Sequence, residues 1–158
     1  MAKKYFYSEK FNCIYSGNMQ EGDRLATPEE VSYYEKFSST LKRDIISKLE
    51  ENEKKYQEAL KKPLFVNGFY VFAEWITTFS NTYTLAKKYE QEQKSASANI
   101  IVLNSEGKME TIEITSLEEF EPFYNAVSDE WARIIDIRNK NMVDIQNSEE
   151  PQTIEIEY

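Results

Sequence analysis

Residues 64–72, Leu-Phe-Val-Asn-Gly-Phe-Tyr-Val-Phe, restrict the backbone more tightly than any other stretch of this chain. Two runs of β-branched and aromatic residues flank Asn67-Gly68. A two-residue hairpin turn needs positive φ at both central positions, which Asn and Gly tolerate best, so the stretch predicts a tight β-hairpin. Pro63 stands directly before it and ends the helix that precedes it. That helix is predicted from Leu41 to Lys61, with Ile45, Leu49, Tyr56 and Leu60 on one face. Glu74 to about Gln93 returns to the same spacing through Ile76, Phe79, Tyr83, Ala86 and Tyr89 or Glu90. Four threonines weaken this second helix on propensity alone, so packing must hold it. Ile45, Leu49, Asn52, Tyr56 and Ala59 also follow a 4-3-4-3 spacing with asparagine in the seam. Over two heptads that pattern fits a plain amphipathic helix or a short self-associating one.

The flanks carry further elements. Tyr5-Phe6-Tyr7 and Phe11 to Tyr15, separated by Ser8-Glu9-Lys10, predict another hairpin, and Ser16 to Asp23 a turn-rich loop. Two strands alone are marginal in water, so this hairpin must pack on something. Thr27-Pro28-Glu29-Glu30 predicts a helix from Pro28: Thr27 and Glu30 form a capping box and proline suits the first helical position. Val31, Tyr34 and Phe37 or Leu41 would face inward, and Ser38-Ser39-Thr40 would break the helix. After a linker at 94–98, Asn99 to Leu103 and Met109 to Ile114 flank Asn104 to Lys108, a third hairpin with one wet and one buried face on its second strand. Thr115 and Glu118 predict a second capping box. Glu121 then caps a fresh helix with Pro122 first, running to about Gln146 through Phe123, Val127, Trp131, Ile134, Ile135, Arg138, Met142 and Ile145. Asn147 to Pro151 reads as a linker. Thr153 to Tyr158 alternates with period two and predicts a terminal strand, paired with the chain's own sheet or a neighbour's.

The expected fold is therefore α+β: short antiparallel hairpins packed with three or four amphipathic helices, the last one long. The expected organisation is a hairpin-plus-helix module over 1–40, a helix-hairpin-helix-hairpin-helix domain over 41–146, and an acidic tail with a terminal strand over 147–158.

With no histidine and one cysteine, the chain can form neither a Ser-His-Asp nor a Cys-His pair, no internal disulfide and no zinc site of the usual Cys/His type. Its four glycines, at 17, 22, 68 and 107, match no phosphate-binding loop. Cys13, beside Ile14 and Tyr15, is expected to be a small buried hydrophobe. No apolar signal core opens the sequence and no run is long enough for a membrane helix, which predicts a soluble protein of a reducing compartment. Nineteen basic residues against 28 acidic ones give a net charge of −9. Counting along the chain, residues 99–158 hold four basic and 14 acidic side chains, a net of −10, so the whole excess lies there. Nucleic-acid binding is disfavoured, whereas solvation of the surface or docking of a basic partner fits.

No catalytic, cofactor-binding or metal residue is assigned. Glu118, Glu119 and Glu121 fit a solvated first helical turn better than a cation site. Candidate partner-binding residues are Tyr5, Tyr7, Tyr15, Phe69, Tyr70 and Phe72, with Ile154, Ile156 and Tyr158 of the terminal strand. The two aromatic sets suit core and interface packing, or less well a sugar-stacking platform. A candidate acidic surface comprises Glu118, Glu119, Glu121, Asp129, Glu130 and Asp136.

Residues 42–146 run helix, proline, hairpin at Val66-Asn67-Gly68-Phe69, helix, hairpin around Gly107, then Ile114-Thr115-x-x-Glu118-x-Phe120 into a long helix. In this order they resemble a domain common at the C-terminal ends of bacteriophage tail-fibre and tail-fibre-assembly proteins. Lys4-Tyr5-Phe6-Tyr7-Ser8 through Phe11, then Thr27-Pro28-Glu29-Glu30 and Tyr34, is similar to the opening of phage tail-fibre assembly chaperones. The resemblance implies a non-enzymatic protein that binds tail-fibre or tail components, as an assembly chaperone or a small tail subunit. It would work in the host cytoplasm during assembly or in the virion tail, with homo-oligomers possible and no nucleic acid or membrane involved. The alternative expectation is a phage-encoded inhibitor that binds a basic host protein through the acidic C-terminal segment.

Overall fold

The structure, a computed structural model, describes residues 4–10, 13–38, 40–94 and 97–158; the side chains of residues 36–40 fall outside that description. Its elements run β1 (Tyr5–Ser8), β2 (Cys13–Ser16), β3 (Arg24–Leu25), α1 (Pro28–Ser38), α2 (Thr40–Leu60), β4 (Pro63–Val66), β5 (Phe69–Phe72), α3 (Ile76–Gln91), β6 (Ala98–Leu103), β7 (Met109–Ile114) and α4 (Leu117–Asn147). Single 3-10 turns occupy Ala73–Trp75 and Pro151–Thr153. Among the described residues the fold is α+β, with four α-helices and two antiparallel sheets, as expected. The chain divides into two compact units, Met1–Glu50 with Asp144–Ile154, and Glu51–Val143 with Glu155–Tyr158. No helix among the described residues is long and apolar enough to cross a membrane.

In the first unit the expected hairpin pairs Tyr5 with Ser16 through Ser8 with Cys13. The region read as a loop supplies a short third strand, giving the order β2-β1-β3. Arg24 explains that strand: paired opposite Tyr7, it lays its guanidinium 4.3 Å from the Tyr7 ring centre. It also grips Glu30 through two bonds of 2.8 and 2.7 Å. Cys13 is exposed, contrary to expectation, because it opens an edge strand that no further strand covers. Phe6, Ile45 and Ile145 are buried in this unit. Phe11, Asn12, Ser39 and the Phe37 side chain, on which parts of the sequence reading fell, lie outside the described residues.

The first capping box forms as written. The Thr27 N–H donates to the Glu30 carboxylate at 2.8 Å, and the Glu30 N–H donates to Thr27 Oγ1 at 3.2 Å. Arg24 and the Thr27 amide hold the Glu30 carboxyl well below its ordinary value of 4.5, at about 2. A carboxyl whose folded pKa is depressed supports the fold above its unfolded pKa, and that support fades as pH falls. Acidification from about pH 5 towards pH 2 should therefore lower the melting temperature. Arg24→Gln should flatten part of that slope, and melts recorded across the range in both proteins check it.

In the second unit the two hairpins join into one sheet, β4-β5-β6-β7. Asn67 and Gly68 take φ values of 50° and 89°, the positive pair that the tight turn requires. One face of the sheet packs on α3 and α4. Val71, Ile100, Val102 and Ile114 meet Phe79, Phe120, Phe123 and Val127 there, all buried. The threonines of α3 are partly accommodated by its own backbone, Thr82 and Thr84 donating to the carbonyls of Thr78 and Ser80 at 3.0 and 2.9 Å.

The start of α4 differs from expectation twice. Its cap is Ser116 with Glu119, not Thr115 with Glu118. The Glu119 N–H donates to Ser116 Oγ at 3.2 Å, while the Glu119 carboxylate accepts from the Thr115 N–H and Oγ1 at 2.8 and 2.9 Å. Adjacent Thr-Ser and Glu-Glu pairs allow either phase, and burial of Phe120 and Phe123 selects this one. Pro122 does not begin the helix but lies within it. The carbonyl it leaves without a helical donor belongs to Glu118, which is exposed.

Thr153 to Tyr158 is not a strand: after the 3-10 turn the chain runs on without a ladder partner. Within the second unit, Lys55 Nζ donates to the Ile156 carbonyl at 2.9 Å and Lys62 Nζ to the Tyr158 carbonyl at 3.4 Å. The Tyr158 hydroxyl donates to Asn52 Oδ1 at 2.7 Å. The alternation that suggested a strand instead buries Ile156 and sets Tyr158 against Tyr56 and Asn52 of α2.

Candidate functional site

Among the described residues, no three carboxylate or thiol groups converge in a way that would hold a metal ion. The six candidate acids differ in their surroundings. Glu119 is engaged by the cap, and Glu130 by Arg133 through bonds of 2.6 and 2.7 Å, which hold its pKa below the usual carboxylate range. Glu121 is half-buried. Glu118, Asp129 and Asp136 are exposed along one stripe of α4, at steps of eleven and seven residues. Those steps separate them by about 16 and 10 Å along the helix axis.

The N-terminal aromatics hold their own unit together. The Tyr5 ring lies 5.3 Å from Tyr34, and its hydroxyl bonds Glu35, which pushes its pKa up. Tyr7 carries the Arg24 guanidinium, and the Tyr15 hydroxyl donates to Asp23. Ile154 is half-buried in the same unit. Ile156 is buried and Tyr158 is tied to Asn52, so these two work inside the fold instead of presenting an edge to a partner. Phe69 packs against the main core.

Tyr70 and Phe72 are different. Opposed residues of an antiparallel ladder share a face, and alternate residues swap faces. The register pairs Phe65 with Tyr70, Tyr70 with Leu103, and Leu103 with Met109. These four side chains form one row across all four strands, on the face away from the helices. Phe65 is 66% exposed and Met109 69%. Ile101, 53% exposed, and Phe72 stand on the same face one pleat along. The Phe65 and Tyr70 ring centres are 5.1 Å apart, and Phe72 meets Trp75 edge-on at 4.9 Å. Beyond the single ladder pair Tyr70–Leu103, β5 and β6 part. A hollow of about 220 Å³ opens there, lined by Trp75, Thr78, Phe79, Asn99, Ile100, Ile101 and Met109.

Sequence reasoning found Tyr70 and Phe72 but missed Phe65, Ile101, Leu103 and Met109. A signal was present: Leu64-Phe65-Val66 and Ile100-Ile101-Val102-Leu103 are continuously apolar, as in strands that need cover on both faces. Among the described residues of this unit, helices pack on one face only. Large exposed apolar faces of this kind commonly mark interaction sites. Comparison with family models, with curated proteins and with solved structures returns no match.

Proposed function

We propose that this chain is a non-enzymatic interaction protein of phage tails, an assembly chaperone or small tail subunit, which docks a tail-fibre polypeptide on the open face of its four-stranded sheet. The observation that carries the docking role is the row Phe65–Tyr70–Leu103–Met109, apolar from edge to edge, with Phe65 and Met109 mostly in water. The tail-fibre partner is supported by the resemblance of the Val66-Asn67-Gly68-Phe69 hairpin and of the Ile114-to-Phe120 junction to that family. A chaperone of this kind covers apolar surface on the fibre until assembly buries it, and covers its own sheet in the same step.

Co-expression with the fibre polypeptide encoded beside this chain tests the reading. The fibre should be soluble and co-elute with this chain. Phe65→Ser with Met109→Ser should abolish co-elution while the melting temperature stays within a few degrees of the parent, since exposed positions contribute little to stability. A fibre that is equally soluble alone and forms no complex overturns it.

A further inference from the structure

The four-stranded sheet has two edges, β4 and β7. β4 is four residues long and opens with Pro63, which offers no N–H; short length and proline both guard an edge. β7 has six residues and contains no proline, glycine or lysine. Its ladder phase is set at the turn, where the Asn104 N–H donates to the Lys108 carbonyl at 2.9 Å. Bonded and non-bonded pairs alternate from there, so residues 110, 112 and 114 bond β6. The N–H and C=O groups of Met109, Thr111 and Glu113 point outward from the edge. Their side chains also stand on the open face, where Met109 ends the apolar row.

Charge decides what can add to this edge. Two of the six β7 side chains are glutamates, Glu113 on the open face and Glu110 on the other, where its carboxylate accepts from Asn104 Nδ2 at 3.2 Å, and the acidic start of α4 follows with Glu118. A second copy would bring the same glutamates and the same acidic excess against them. A strand with Lys or Arg opposite these positions gains instead of repelling.

We infer that β7 is a strand-addition edge, and that its occupant is an extended partner segment with an apolar side chain opposite Met109 and Lys or Arg opposite Glu110, Glu113 or both. The inference rests on the docking reading above and adds the chemistry of the partner. Outward backbone groups of Met109, Thr111 and Glu113 supply the ladder, Met109 continues the apolar row onto the added strand, and Glu113 and Glu110 select its cations.

A fluorescein-labelled ten-residue peptide alternating Lys with Val or Thr, and its counterpart with Glu for Lys, are the probes, titrated against the full chain by anisotropy. The Lys peptide should bind about tenfold tighter than the Glu peptide at low salt, and the gap should narrow at about 0.5 M salt. Glu110→Lys with Glu113→Lys should invert the preference. Thr111→Pro, which removes an outward N–H without touching a bond to β6, should abolish binding of both peptides. In the unsubstituted chain, hydrogen exchange at Met109, Thr111 and Glu113 should slow when the Lys peptide is bound. Equal affinity for the two peptides, or exchange unchanged at those three amides, overturns the inference. If the Lys peptide fails while Phe65→Ser with Met109→Ser still abolishes fibre capture, the edge assignment falls and the docking reading stands. If the peptide binds but no fibre is captured, the edge stands and the tail-fibre reading falls.

Discussion

Phe120→Ala is expected to cost about 3–5 kcal/mol of unfolding free energy, the range for removing a fully buried ring. Phe120 has no exposed surface and stands 5.6 Å from Phe79 and 6.4 Å from both Tyr83 and Tyr124, ring centre to ring centre. Tyr83 and Tyr124 stack on each other at 4.2 Å and 9°, so neither ring is placed to collapse into the space left behind. With a total stability of about 5–15 kcal/mol for a typical domain, the variant approaches unfolding at room temperature. Phe65→Ala, in the same unit but 66% exposed, should change stability by less than about 1 kcal/mol. Urea midpoints for the two variants decide the matter. Equal shifts would mean that the open face is not open, and would remove the basis of the docking surface.

The second large effect is expected at Asn52, 1% exposed on α2. Its Nδ2 donates to the Arg138 carbonyl at 3.3 Å, and its Oδ1 accepts from Asn141 Nδ2 at 3.1 Å and from Tyr158 at 2.7 Å. Around it Glu53 binds Arg138 at 2.8 Å, and the Arg138 guanidinium lies 4.9 Å from the Tyr56 ring centre. Asn52→Ala strips three bonds and leaves partners buried without replacements, at about 2–4 kcal/mol. Tyr158→Phe removes one bond and should cost about 1 kcal/mol. The double variant should cost less than the sum, because the two changes share a bond. Strict additivity would show that the C-terminal segment does not depend on Asn52. Light scattering should give one molar mass for Asn52→Ala and its parent, since the seam over Asn52, Tyr56 and Ala59 is filled by α4 and Tyr158 of the same chain.

Elements marked by local chemistry were legible. Asn67-Gly68 forced its turn, Thr27-Pro28-x-Glu30 its cap, and the helical spacings from Leu41 and from Glu74 their helices to within a few residues. Elements whose identity depends on a distant neighbour were not. Arg24–Leu25 is a strand only because Tyr7 is opposite it, and Thr153–Tyr158 fails to be one because Lys55 and Asn52 reach its carbonyls and hydroxyl first. Cys13 and Ile154 look alike as apolar residues in β-prone runs, yet one is exposed and the other half-buried.

The candidate surface divides along the same line. By itself, the sequence determined that the strands around Asn67-Gly68 and the strand before Gly107 are continuously apolar at 64–66, 69–72 and 100–103, and that histidine-dependent chemistry is closed to this chain. Only the tertiary structure decided which face the helices cover, which edge Pro63 guards, and that Phe65, Tyr70, Leu103 and Met109 share one row. Turns and caps are settled by atoms a few residues apart, whereas a sheet face acquires meaning only when other elements pack on its opposite side or leave it to water.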